Sequence, residues 1–372
     1  MNATHALRNL GQSLWLDNIT RILLDSGTLS SYIRDFAITG LTSNPTIFEH
    51  AIGNSDAYDE AILNKAHAGQ SGEDLFFELA LEDLTRAADL FRPVFDASDG
   101  VDGWVSLELS PLLAHDAAGM IAAAADLHAR AARPNLFIKI PGTSEGLVAI
   151  EASIFAGVPV NVTLLFSREQ YQAASEAYLC GIERRIAARL DPKIGSVASL
   201  FVSRWDVAAS KVLASPMNNQ LGIAAATQAY RAYRELLASP RWRKLAAAGA
   251  HAQRLLWAST GTKDPGAPDT LYVEQLAAPD TVNTMPEKTL LAFAEHGRIR
   301  QALGIESRDA EAVIAKCRVS GIDTDALAAR LQREGAEAFT ASWRALLDNI
   351  ATKTRTLARP DARAGTLGLR SI

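Results

Sequence analysis

Short runs of apolar and β-branched residues alternate along this chain with longer Ala-rich stretches in which apolar residues recur every three or four positions. The short runs are Ser13–Ile19, Ala37–Asn44, Trp104–Ser110, Asn135–Ile140, Val158–Phe166, Ser196–Ser203, Arg254–Thr260 and Asp280–Met285. Most are bounded by Gly, Pro, Asp or Asn, the residues of turns, so each reads as a strand. Ala117–Arg133, Arg168–Ala188 and Gly222–Ala238 read as helices between them.

Strands that alternate with helices imply a parallel sheet. Eight such units predict an α/β fold, a closed (β/α)8 TIM barrel, more than an open doubly wound sheet. The absence of a GxGxxG turn after the first run points the same way. Simple alternation breaks in two places. Between the second and third runs lie about sixty residues with at least two helical segments, Ala57–Ala68 and Glu73–Phe91. After the eighth run, about 287–358 is helical and includes a last long helix near Asp325–Lys353. Both read as decorations. The expected organisation is one domain, with the barrel over about 10–300, a helical extension over about 301–358 and a loose tail over 359–372.

Composition narrows the function. At 48% hydrophobic residues the chain can fill a large core. Its net charge of −5 argues against a nucleic-acid binder, which needs a basic footprint. Small phosphorylated substrates remain open, since one or two local cations suffice for them. Cys180 and Cys317 stand far apart, with no CxxC or Cys/His cluster, so neither a disulfide framework nor a metal site is expected. MNATHALRNLGQS lacks the pattern of a signal peptide, and no apolar run nears the roughly 20 residues of a membrane helix. These features predict a cytoplasmic protein with no membrane partner. No motif calls for a cofactor.

Polar residues inside apolar strands carry the chemistry, because residues near the C-terminal ends of barrel strands face the active site. Lys139 in LFIKIPG is the sharpest case. It is either a snorkelling strand end paired with a carboxylate or a Schiff-base nucleophile. A nucleophile must be neutral, and near the ordinary pKa of about 10.4 only about one lysine in a few thousand is neutral at pH 7. Lowering that pKa by roughly 3 takes about 4 kcal/mol, which burial in such a strand can supply. Asp17 in LWLDN is an N-cap of the next helix or a general base. Glu108, between Leu107 and Leu109, is a partner for a barrel cation or part of the chemistry. Asn44 ends the second run, closed by Pro45. Asn161 and Thr163 share a strand face, as core polars or as site residues. Ser199 and Arg204 bracket the sixth run, and Ser259 and Lys263 the seventh. Cations there suit a phosphate, although a lone cation at such a place is more commonly an exposed loop charge.

With these residues in place, seven motifs in order resemble the transaldolase family in its longer bacterial form. They are GLTSNPTIF, VSLELSP, LFIKIPGT, VNVTLLFS, SLFVSRWD, WASTGTKDP and DTVNTMP, spread over about residues 10–290. The resemblance implies transfer of a dihydroxyacetone unit between sugar phosphates, from sedoheptulose 7-phosphate to glyceraldehyde 3-phosphate, by a monomer or homodimer of the non-oxidative pentose phosphate pathway. It makes Lys139 the Schiff-base lysine and Asp17 the acid/base. Glu108 and Thr163 become the pair that holds a catalytic water, and Asn44 and Asn161 the amides on sugar hydroxyls. Ser199 and Arg204 fall in the phosphate site. One departure concerns a Ser-Phe-Arg context common after the seventh strand. Here the stretch is Ser259-Thr260-Gly261-Thr262-Lys263, which leaves Lys263 as the second phosphate cation. The nearest alternative is a Schiff-base aldolase that lets water finish the reaction, although such chains are usually much shorter.

Overall fold

The computed structural model describes residues 2–210, 218–304 and 308–358. The tail expected to be loose lies outside the described residues. Eight strands form a closed parallel barrel in chain order: β1 Ser13–Asp17, β2 Ile38–Thr42, β3 Trp104–Glu108, β4 Leu136–Pro141, β5 Val160–Leu165, β6 Ser196–Phe201, β7 Arg254–Ala258 and β8 Val282–Met285. The expected (β/α)8 architecture is therefore present, and each strand falls within its predicted run to a residue or two. Both strand faces are buried, one against the helices and one in the lumen, which is why the strands read as near-continuous apolar runs.

Packing closes the lower half of the lumen. Trp15, Trp104, Phe137, Val197, Leu256 and Val282 belong to an apolar cluster separate from the strand–helix layer. Trp104 and Phe137 stack with centroids 3.9 Å apart. Gly40 makes room for them, because a Cβ there would stand 2.6 Å from the Trp104 carbonyl oxygen and 2.7 Å from the Trp15 ring. Below this layer, Arg254 donates to Ser13 Oγ and to the Thr281 carbonyl, while Trp15 Nε1 donates to Asp102. Among the described residues this layer plugs the lumen from below, and the cavity that Lys139 lines lies at the C-terminal ends of the strands.

Caps placed just past the strands start several crossover helices. Asp116 begins Ala117–Ala131, Thr143 begins Ser144–Ala156, and Ser167 with Gln170 forms a capping box on Arg168–Ala187. Three helices separate β2 from β3: Pro45–Gly53, Asp59–His67 and Gly72–Ala97. No helix among the described residues is long and apolar enough to cross a membrane.

The C-terminal helix, Thr324–Leu357, is more than a decoration, which corrects the sequence reading. Its buried stripe runs through Ala328, Leu331, Gly335, Phe339, Trp343, Leu346 and Ile350, at helical spacing. That stripe lies on the end of the barrel where the lumen opens. Gln332 Nε2 donates to the carbonyls of Gly142 (2.9 Å) and Leu164 (3.0 Å), just past β4 and inside β5. Trp343 Nε1 donates to Glu73 Oε1 at 2.7 Å, and Lys353 pairs with Asp59. At Gly335 the helix lies close against the barrel, where a Cβ would meet Leu164 Cδ2 at 2.8 Å and Arg204 Nη1 at 3.2 Å.

Candidate active site

At the open end lies a cavity of about 240 Å³. Asp17, Asn44, Lys139, Thr163, Ser199, Arg204, Ser259 and Lys263 all line it. Glu108 and Asn161, the other two residues singled out from the sequence, stand immediately behind the wall, each bonded to a lining residue. Ten residues spread over some 250 positions of sequence thus come together at one end of the barrel, from β1, β3, β4, β5, β6 and the segments that follow β2, β6 and β7.

Lys139 is buried in β4, in backbone register with Glu108 on β3 and Asn161 on β5. Its Nζ donates to Glu108 Oε2 at 3.0 Å and to the Ser43 carbonyl at 2.9 Å. The pairing gives each of the two buried ionisable groups an opposite partner. Burial pushes the Glu108 carboxyl above its ordinary pKa. Lys139 opposes that shift, Asp17 adds to it, and the net direction is up.

Asp17 ends β1. It does not cap the next helix: Thr20 caps Arg21–Asp25 by accepting from the Leu23 amide. The Asp17 carboxylate instead accepts from Thr42 Oγ1 at 2.8 Å, inside the cavity. Its pKa is raised, first by burial, against the pull of Lys139, the Thr42 hydroxyl, Lys263 and Arg204. Two carboxyls held above their ordinary range beside a lysine are groups suited to proton transfer.

Asn161 bridges three strands. Its Nδ2 donates to Ser106 Oγ on β3 at 3.0 Å, and its Oδ1 accepts from Ser199 Oγ on β6 at 2.7 Å. Thr163, two residues on, has a buried hydroxyl with no hydrogen-bond partner among the described residues. It lines the cavity, so that hydroxyl has bonding capacity left for a small polar guest. Asn44 lies two residues beyond β2, where its Oδ1 caps Pro45–Gly53 by accepting from the Ile47 amide at 3.1 Å. The cap fixes the side chain and leaves its amide nitrogen for the cavity.

Cations stand farther out. Arg204 is the second residue of the helix after β6, Ser203–Ala209, with its guanidinium 5.0 Å from the Phe201 ring centroid and 5.9 Å from that of Phe339. It makes no ion pair among the described residues, so its planar fork is available for an anion. Lys263 is exposed at the rim. Ser259, at φ +56°, bonds Ser203 Oγ at 2.9 Å and so ties the start of the Arg204 helix to the end of β7.

The family model for Transaldolase/Fructose-6-phosphate aldolase matches residues 14–350. The chain belongs to that family. It is 46% identical over 353 residues to a transaldolase of Saccharopolyspora erythraea, covering 93% of this chain and 96% of that one. A transaldolase of Acidothermus cellulolyticus is 46% identical over 363 residues, 95% and 97% of the two chains. A third, from Thermobifida fusca, is 45% identical over 354 residues, 93% and 96%. The similarity therefore runs nearly end to end and includes the C-terminal helix.

Within the transaldolase frame, several residues that line this cavity or bond to its site residues carried weaker sequence signals. Thr42 and Ser43 lie inside GLTSNPTIF, and Ser106 alternates with Glu108 in VSLELSP, so strand periodicity places Ser106 on the lumen face. Ser43 acts through its backbone carbonyl, which no side-chain pattern reveals. Phe201 and Phe339 form apolar wall, and Phe339 comes from the helix read as decoration.

Proposed function

We propose that this chain transfers a dihydroxyacetone unit from sedoheptulose 7-phosphate to glyceraldehyde 3-phosphate, giving erythrose 4-phosphate and fructose 6-phosphate, through a Schiff base on Lys139. The observation that carries the reading is Lys139 at the base of the cavity, bonded to Glu108 and the Ser43 carbonyl, with Arg204 and Lys263 toward its rim. The full-length transaldolase relatives support transfer over simple aldol release.

Transfer of a proton to Glu108 gives the neutral amine, which attacks the ketose C2 carbonyl. The carbinolamine loses water with help from a water held between Glu108 and Thr163. The resulting iminium draws electrons from the C3–C4 bond as Asp17 takes the C4 hydroxyl proton. That bond breaks, the aldose leaves, and an enamine of dihydroxyacetone stays on Lys139. A second aldose accepts the enamine carbon at its carbonyl, and Asp17 returns the proton to the new alkoxide. Hydrolysis of the iminium then frees the new ketose. Asn44 and Asn161 hold the hydroxyls and the bound intermediate. Arg204, Ser199, Ser259 and Lys263 form the phosphate end, Ser199 also by donating to Asn161. The same reading makes the protein one domain in the cytoplasm, a monomer or homodimer acting in the non-oxidative pentose phosphate pathway.

Borohydride reduction in the presence of fructose 6-phosphate tests it. A single adduct that maps to Lys139 by mass spectrometry, and is lost in Lys139→Ala, is expected. An adduct that persists on another lysine overturns the assignment. Free dihydroxyacetone as the main product in the presence of erythrose 4-phosphate would sink the transferase reading.

A further inference from the structure

A transferase of this kind has to keep a reactive enamine alive while one aldose leaves and another enters. Protonation of the enamine carbon by water gives the iminium of dihydroxyacetone. Addition of water at C2 and rupture of the C–N bond then return the Lys139 amine and release dihydroxyacetone, with net consumption of one water. Keeping the wall beside Lys139 dry suppresses that loss.

Most of the residues that line the cavity are polar. The apolar ones are Ile47, Phe201, Ala258, Pro286 and Phe339. Phe339 differs from the rest in coming from the C-terminal helix, some 200 positions from Lys139 in sequence. Its ring centroid lies 6.0 Å from Lys139 Nζ and 5.9 Å from Arg204 Cζ, and the side chain is 6% exposed. One ring thus adjoins both the reacting nitrogen and the cation that faces the substrate's far end.

The helix is fixed on both sides of that ring. Gln332, two turns earlier, binds the Gly142 and Leu164 carbonyls. Gly335, one turn earlier, lets the backbone down onto Leu164 and Arg204. Trp343, one turn later, shares Glu73 Oε1 with the hydroxyl of Ser110, which lies two residues past Glu108. The helix is therefore anchored to the same strand ends that carry Glu108, Lys139 and Thr163.

We propose that Phe339 is a specificity-determining residue: its ring closes the Lys139 side of the cavity to bulk water, so the bound enamine is captured by an aldose faster than it is protonated. The proposal rests on the Schiff-base reading above.

The test compares two rates in wild type, Phe339→Ala and Phe339→Leu. One is dihydroxyacetone release from fructose 6-phosphate alone, and the other is sedoheptulose 7-phosphate formation after adding erythrose 4-phosphate. Phe339→Ala is expected to raise the ratio of release to transfer about tenfold, the equivalent of about 1.4 kcal/mol in relative barrier. Phe339→Leu, which retains apolar bulk, is expected to move it less than about threefold. Gln332→Ala keeps the ring but loosens its support, and is expected to shift the ratio in the same direction. It decides the matter if Phe339→Ala fails to fold. Release and transfer that fall together, with the ratio unchanged and the borohydride adduct intact, overturn the proposal alone. A wild type that forms no adduct overturns the Schiff-base reading and this proposal with it.

Discussion

Lys139 and Glu108 face each other across the β3–β4 ladder, with backbones in register and Nζ 3.0 Å from Oε2. The pair resolves a conflict that a lone buried lysine would pose. Burial alone favours the neutral amine but leaves the fold with the cost of a stranded ammonium. With Glu108 beside it, the proposed proton transfer has its donor and acceptor already in contact, and burial holds the carboxyl above its ordinary pKa. Glu108→Gln keeps the size and removes the acceptor. It should lower kcat about 100-fold or more, the usual scale for losing a general base. Steady-state kinetics with fructose 6-phosphate and erythrose 4-phosphate measure this; an unchanged kcat with only KM raised would contradict the role.

The two proposed phosphate cations should not be equivalent. Arg204 is partly buried, flanked by Phe201 and Phe339, and without an ion pair among the described residues. Lys263 is exposed at the rim. A charge-assisted bond to a sheltered guanidinium is worth about 1.5–3 kcal/mol, and an exposed pair about 0.2–1 kcal/mol. Arg204→Ala should raise KM for fructose 6-phosphate about 30-fold. Lys263→Ala should raise it less than about 5-fold. KM for unphosphorylated fructose should change little in either variant. Equal effects of the two substitutions would mean that Lys263 turns inward on binding.

Much of this arrangement was legible in the chain, for a physical reason. Strands buried on both faces read as apolar runs, and a Lys, Glu or Asn within such a run has no inexpensive place to go except the lumen. That is why Glu108, Lys139, Asn161 and Thr163 stand out from their neighbours in the amino-acid sequence itself. Position after a strand is harder to read than position within it. Asn44 looked like the end of a strand and is a helix cap, whereas Asp17 fitted a cap and caps nothing. Phe339 gave no signal, because an amphipathic stripe tells that a helix buries one face but not which surface receives it. The Ser43 carbonyl is invisible to any reading of side chains.

Gly40 offers a test of the packing that closes the lumen from below. Its φ is not in the left-handed region, so an alanine meets no backbone strain. The obstacle is space: a Cβ would lie 2.6 Å from the Trp104 carbonyl oxygen, a ladder atom that cannot swing aside, and 2.7 Å from the Trp15 indole. Backbone entropy would ordinarily favour alanine over glycine in a strand by about 1 kcal/mol or less. Overpacking should reverse that sign and destabilise the fold by about 1–3 kcal/mol. Urea unfolding of Gly40→Ala against wild type checks the direction, and a variant of equal or higher stability would show that the Trp15–Trp104 layer has slack.

Asp206 should give the protein a measurable response to pH. It sits in the helix that begins with Ser203 and Arg204, and it is 7% exposed. Its carboxylate accepts from the Leu221 and Gly222 amides and from Tyr272 Oη at 2.8 Å, so it joins the Arg204 helix to the helix Leu221–Leu237 and to the segment after β7. Burial pushes its pKa up to about 6, against the pull of those hydrogen bonds, from an ordinary value of 3.8. A carboxyl with a raised native pKa binds its proton more tightly folded than unfolded. Its contribution to stability is therefore fully present below about 3.8 and is lost as the pH climbs through about 6. Other carboxylates change with pH as well, so the informative quantity is the difference between wild type and Asp206→Asn, which cannot titrate. That difference should shift in favour of wild type by about 1–2 kcal/mol as the pH falls from about 7.5 to about 5. Thermal or urea unfolding of both proteins across that range measures it. A difference that stays flat, or moves toward the variant, would mean that the hydrogen bonds from Leu221, Gly222 and Tyr272 outweigh burial and hold Asp206 ionised throughout.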